Sequence, residues 1–195
     1  MAGWRPRRSG IPARARPTKR STPAAAQNAT PPGSERRATL DKLLGALKSA
    51  PSEEIAGPLE QQIQQLWLNG GTPAVSLLMS RGLREMKAAA NDDAIEDFSA
   101  AITLDPTLPE AYHQRAVARF SAGDTQGAIA DLQATLQREP RSFVAFETLA
   151  AIAEARKDWK GAYKAWQKVL EIDPKTPGGQ ERLKDLRRHA LGEEA

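Results

Sequence analysis

Residues 109–142 read PEAYHQRAVARFSAGDTQGAIADLQATLQREPRS, and the chain on either side carries the same punctuation. Asp105-Pro106, Glu139-Pro140 and Asp173-Pro174 stand 34 residues apart, and a shift by that interval aligns other positions as well. Ala94 falls on Ala128 and Ala162, Phe98 on Leu132 and Trp166, and Ile102 on Leu136 and Leu170. Upstream in each unit, Leu78 falls on Tyr112 and Phe146, and Gly82 on Ala116 and Ala150. The pattern predicts two helices per unit: 73–89 and 92–104, 109–122 and 125–138, 142–156 and 159–172. Gly123-Asp124 and Lys157-Asp158 separate the helices of the second and third units. Each proline ends its unit by disfavouring helical conformation in the residue before it. Small residues at 82, 116 and 150, and at 94, 128 and 162, mark where helices cross closely. Larger side chains there would overpack the crossing at a cost of about 1–3 kcal/mol.

A 34-residue period with a large residue, a small one four later, an Ala, an aromatic four later and a closing Pro resembles the tetratricopeptide repeat (TPR) family. The resemblance spans about half the chain, as repeats at 75–108, 109–142 and 143–176. It implies an all-α TPR solenoid, a right-handed superhelix of helix-turn-helix repeats, acting as a non-enzymatic scaffold. The implied partner is an unidentified protein or peptide segment held in a concave groove. The first helix of each repeat lines that groove in the family. Helical counting then places Ser76, Met79, Leu83, Met86 and Lys87 there from the first repeat. Glu110, His113, Gln114, Val117 and Ser121 follow from the second, and Val144, Glu147, Thr148, Ala151 and Glu154 from the third. Adaptable methionine beside polar groups suits peptide or helix recognition. For Met79 and Leu83, packing against an N-terminal hairpin is an equal reading. One TPR subtype grips the terminal carboxylate of chaperone tails with a Lys/Asn/Arg clamp on this face. The matching places here are Met79, Leu83, Gln114, Val144 and Thr148, none of them cationic. The layout, with Leu66-Trp67-Leu68 closing a Leu-rich hairpin before three repeats, also resembles small bacterial TPR-repeat proteins, which are often exported.

Outside the repeats, Leu40, Leu43, Leu44 and Leu47 follow one helical face, and Ile55, Leu59, Ile63, Leu66 and Trp67 another. Ser52 is a candidate N-cap before Glu53 and Glu54, and Gly57-Pro58 is expected to kink or delay the helix. Residues 39–72 thus read as a capping hairpin stacked on the first repeat, which a solenoid needs to cover its end. Thr72-Pro73 and Thr176-Pro177 read as helix starts. Leu183, Leu186 and Leu191 give residues 177–195 the apolar side of a C-terminal capping helix.

The net charge of +4 divides unevenly. Residues 1–38 hold nine of the 28 Lys and Arg and one of the 24 acids, a net +8, which leaves −4 for the remainder. With Pro6, Pro12, Pro17, Pro23, Pro31 and Pro32 and no apolar periodicity, residues 1–38 are expected to form a disordered basic tail. Three functional readings compete with a plain solvated tail. A transit peptide needs an amphipathic helix that the prolines forbid, and an export signal needs an apolar core that is missing before Ala24-Ala25-Ala26-Gln27. Arg5, Arg7, Arg8, Arg14, Arg16, Lys19 and Arg20 would suit an electrostatic arm on nucleic acid or an anionic surface, the alternative function. Self-association is open to any repeat array. As the sequence stands the expected compartment is the cytoplasm, with export the alternative if the N-terminus is mis-assigned. No segment is long and apolar enough to span a bilayer.

In two repeats the usual leucine of the first helix is replaced by Arg81 and Arg115, and sixteen residues later stand Asp97 and Asp131. The third repeat has Leu149 and Ala165 at both places. Arg and Asp come and go together, which predicts structural salt bridges Arg81–Asp97 and Arg115–Asp131. No cysteine is present, so thiolate chemistry and disulfides have no residues to use. No phosphate loop, HExxH pattern or serine elbow occurs. The only histidines, His113 and His189, are expected at the surface, and a metal at His113 with Glu110 would lack further ligands. Neither an enzyme nor a bound cofactor or metal is expected.

Overall fold

The computed structural model describes Met1, Gly3 and residues 32–192. Contacts divide the chain into Met1–Pro31 and Pro32–Ala195, and the fold below is that of the second unit. The expected basic tail and its nucleic-acid role therefore fall almost wholly outside the described residues.

Nine α-helices occur among the described residues: α1 (Pro32–Lys48), α2 (Glu53–Leu68), α3 (Pro73–Lys87), α4 (Asn91–Leu104), α5 (Pro109–Ser121), α6 (Thr125–Arg138), α7 (Phe143–Ala155), α8 (Trp159–Ile172) and α9 (Gly179–Leu191). From α3 to α8 they pair as α3–α4, α5–α6 and α7–α8. The first helices α3, α5 and α7 also pack side by side. Each pair closes on a small-to-large contact. Gly82, Ala116 and Ala150 are buried on the first helices, and Phe98, Leu132 and Trp166 on the second. A methyl group on Gly82 would meet the Phe98 ring at 2.8 Å, so the first repeat uses glycine where the others use alanine.

Turns within the pairs repeat as well. Ala89, Gly123 and Lys157 occupy equivalent places, and all three have left-handed φ values of 58°, 89° and 59°. Two of the three second helices then start on a side-chain cap. Asp124 accepts from the Gly127 N–H at 2.8 Å, and Asp158 from the Gly161 N–H at 2.9 Å. The equivalent Ala90 supplies no side-chain cap. Thr72 caps α3 by accepting from the Val75 N–H at 3.4 Å, with Pro73 opening the helix.

Four expectations about helix starts are corrected. The first helix begins at Pro32, so residues 32–38 are helix rather than tail. Proline at the first helical position loses no bond there, and Glu35 complements the positive helix start. Arg36 then ties this turn to the end of α2 by donating to the Gly70 carbonyl. Pro58 lies inside α2, which spans Glu53–Leu68, so it does not delay the helix, and Ser52 stands at the N-cap position without a side-chain capping bond. The last helix begins at Gly179 rather than Pro177, because Gly178 takes a left-handed φ of 65°.

The placement of the α1–α2 hairpin is the largest departure from the sequence reading. Its main packing is not on α3–α4 as an end cap: α1 packs on α8 and α2 on α5, and only Leu68 at the end of α2 reaches the first-repeat core. Leu40, Leu44, Leu47, Ala56, Ile63 and Trp67 form one core with Phe143, flanked by Val144 and Ile172. The Trp67 and Phe143 rings lie 5.4 Å apart at 49°. Along α1, Arg36 feels the charge of Asp105, Asp41 pairs with Arg141 at 2.7 Å, and Leu44 and Lys48 border Glu171 and Ile172. The helix thus crosses the two inter-repeat turns and then the end of α8 in succession. The physical reason is apolar surface. At equivalent places the second repeat has Pro109, Glu110 and Arg138, whereas the third has Phe143, Val144 and Ile172.

Candidate protein-binding groove

Residues proposed for the groove separate into two groups in the structure. Met79 is 2% exposed and belongs to the core with Val75, Phe98, Ala101 and Ala111. His113 is 6% exposed, which corrects the surface placement expected for it. Its Nδ1 lies 3.1 Å from Glu110 Oε1 and its Nε2 lies 3.2 Å from Thr148 Oγ1. The Thr148 hydroxyl donates to the Val144 carbonyl at 2.9 Å, so it accepts from a proton on His113 Nε2. Gln114 donates to Glu110 at 2.6 Å. Val144 rests against the hairpin core. The His113–Thr148 contact joins α5 to α7, and all of these residues are engaged within the fold.

Those that remain accessible come from the second halves of the same helices. Leu83 and Met86 are half-buried along α3, Lys87 is exposed at its end, and Val117 is half-buried on α5 with Ser121 exposed beyond it. On α7, Ala151 is exposed and Glu154 pairs with Arg182 of α9 at 2.6 Å. Glu147, two turns before Glu154, is half-buried. Desolvation raises its pKa above the ordinary carboxylate value, opposed by Arg182, reinforced by Asp173 and opposed by His113.

The four charged residues that the repeat pattern paired lie together. Arg81 donates through Nε and Nη2 to both oxygens of Asp97, which is 1% exposed. Arg115 donates to Asp131 through Nε at 2.8 Å and Nη2 at 2.6 Å. Asp131 also accepts from Arg119 at 2.8 Å, and Arg115 reaches Ser99 of the preceding repeat at 3.1 Å. In the third repeat, Leu149 and Ala165 pack into apolar cores. Each arginine is thus paired with the aspartate of its own repeat, Arg115 largely enclosed and Arg81 about half exposed.

Sequence reasoning missed a second carboxylate cluster. Glu60 of α2 faces Asp173, which is completely buried in the turn after α8. Its pKa is raised to about 8, first by desolvation, then by the hydrogen bond with Asp173 and by the charges of Asp173 and Glu147. A period-34 reading could flag Asp173 but not its partner, because Glu60 lies outside the repeats. No group of three or more ligating side chains able to hold a metal occurs among the described residues.

Stacked helix pairs with one continuous layer of first helices define an all-α solenoid, and this one has the TPR fold. Similar solved structures include the first TPR domain of Spaghetti (RPAP3) bound to the HSP90 peptide SRMEEVD, at 22% identity and TM-score 0.57, covering 63% of this chain and 96% of that one. The Sgt2 TPR domain from Aspergillus fumigatus matches at 23% identity and TM-score 0.57, covering 63% and 82%. MamA matches at 22% identity and TM-score 0.53, covering 84% of this chain and 91% of its own. No family model and no curated protein matches the sequence. No helix among the described residues is long and apolar enough to cross a membrane.

Proposed function

We propose that the chain is a non-enzymatic scaffold that binds a protein or peptide segment along the accessible halves of α3, α5 and α7. The observation that supports this reading is the side-by-side layer of first helices, on which Leu83 and Met86, packed partly against the first-repeat core, and Val117 keep partial exposure while Lys87 and Ser121 are exposed. Short apolar anchors within a polar border suit segment recognition. A solved neighbour with the same fold holds a peptide, SRMEEVD, which supports the class of partner. That acidic sequence itself is a poor match here. The clamp places carry Met79, Leu83, Gln114, Val144 and Thr148, so no cation waits for a terminal carboxylate.

The test is selection of displayed random peptides on the full chain at high salt, followed by affinity measurement with Leu83→Glu and Val117→Glu. The reading expects at least a tenfold loss for each variant, since a charge would be buried against an apolar anchor. Binding unchanged in both variants, at unchanged helicity, contradicts it. Met79 is unsuitable for this test because it is buried in the core.

A further inference from the structure

Glu60 and Asp173 stand on opposite sides of the contact between the hairpin and the repeats. Asp173 Oδ1 accepts from the Lys175 N–H at 3.2 Å. Asp173 Oδ2 and Glu60 Oε1 are both enclosed, and neither has a donor from any other group. Two carboxyl groups in that position satisfy each other only by sharing a proton. Glu147 of α7 adds a third acid to the cluster. The cations near it do not relieve the pair: Arg182 of α9 is committed to Glu154, and His113 of α5 lies between Glu110 and Thr148. Beneath the hairpin runs the apolar strip of Phe143, Val144 and Ile172, which here receives an amphipathic helix carrying Ile63 and Trp67.

We propose that the hairpin is a releasable cover latched by the proton shared between Glu60 and Asp173, and that the strip beneath it is a second docking surface, for an amphipathic helix of a partner. The proposal rests on the scaffold reading and deepens it, naming the form of one partner and the control of its access. The resident α2 shows the chemistry that fits: apolar residues one helical turn apart and a neutral hydrogen-bonding group facing Asp173. Because the Glu60 pKa is raised above its unfolded value, the latch is complete at acidic pH and is lost as pH rises toward about 8. Deprotonation then leaves two facing like charges, that of Asp173 fully buried and that of Glu60 partly so, beside Glu147, and the hairpin lifts.

Hydrogen exchange of the full chain, corrected for intrinsic rates, tests the latch at acidic and mildly alkaline pH. Amides of α1 and α2 are expected to open roughly tenfold or more readily, relative to α3–α8, at the alkaline value. Glu60→Gln should abolish that difference, because its amide donates to Asp173 without titrating. Equal opening at both pH values, hairpin and repeats opening together, or an unchanged pH response in Glu60→Gln would each overturn the latch. A labelled peptide of residues 52–69 carrying E60Q then probes the strip on the full chain. It should bind several-fold more tightly at alkaline than at acidic pH, and equal or absent binding overturns the docking surface. None of these readouts uses Leu83 or Val117, so failure here and failure of the inner-face reading are separable.

Discussion

Asp131 shows how strongly one residue's burial governs its neighbours. It is 4% exposed and holds two guanidinium groups, so its removal takes the main carboxylate partner from both and leaves Arg115 with Ser99 and Arg119 with Asp124. Replacing Arg115 alone leaves Arg119 in place. We therefore expect Asp131→Ala to destabilise by about 3 kcal/mol and Arg115→Leu by less. The double variant, which restores the Leu and Ala of the third repeat, should recover about 1–3 kcal/mol relative to additivity in urea unfolding. Strict additivity would mean that the two side chains do not depend on each other. A second intra-repeat correlation concerns caps. Asp124 and Asp158 each cover a glycine three residues on, where a Cβ would meet the carboxylate at 2.0 and 2.3 Å. The first repeat has Ala90 and Asp93 instead. Ala90→Asp should thus stabilise by about 1 kcal/mol more in an Asp93→Gly background than alone, by the same unfolding measurement.

Helix bounds were largely legible in the sequence, and the reason lies in particular residues. Repeats at a fixed interval report the same local solution three times, so the six predicted helices lie within two residues of those observed. The remaining misses come from turn chemistry. Gly178 in a left-handed conformation delays α9, and proline at the first helical position starts α1 early. Within a pair, Gly82→Ala should cost about 1–2 kcal/mol despite alanine's better helix propensity, because its methyl group strikes Phe98. At the C-terminal end, Trp166 Nε1 donates to the Gly179 carbonyl at 2.8 Å, which anchors the start of α9. Trp166→Phe should cost about 1–2 kcal/mol and speed hydrogen exchange in α9 more than in α7.

At the scale of the whole molecule, amphipathic patterning said that the hairpin buries an apolar face but not against what. An end cap on the first repeat and a strap across the turns bury the same leucines. What distinguishes them is the apolar edge of the third repeat, Phe143, Val144 and Ile172, which stands out only when each repeat is compared with its neighbours. The same ambiguity hid the candidate site. Met79 and His113 occupy groove positions by helical counting, yet both are buried. Hairpin docking also gives stability a pH dependence. Glu60, raised to about 8, contributes fully below its unfolded value and loses that contribution as pH rises through 8. Urea stability should accordingly fall on the order of 2 kcal/mol across that window, the full shift being discounted for the solvent reaching Glu60.

The seating of the hairpin on the third repeat is tested most directly by a double-mutant cycle between Trp67 and Phe143, whose rings lie 5.4 Å apart. With Trp67→Ala, Phe143→Ala and the double variant compared in urea, we expect a coupling of about 0.5–1.5 kcal/mol. Additivity within about 0.3 kcal/mol would place the two aromatics out of contact and contradict the account.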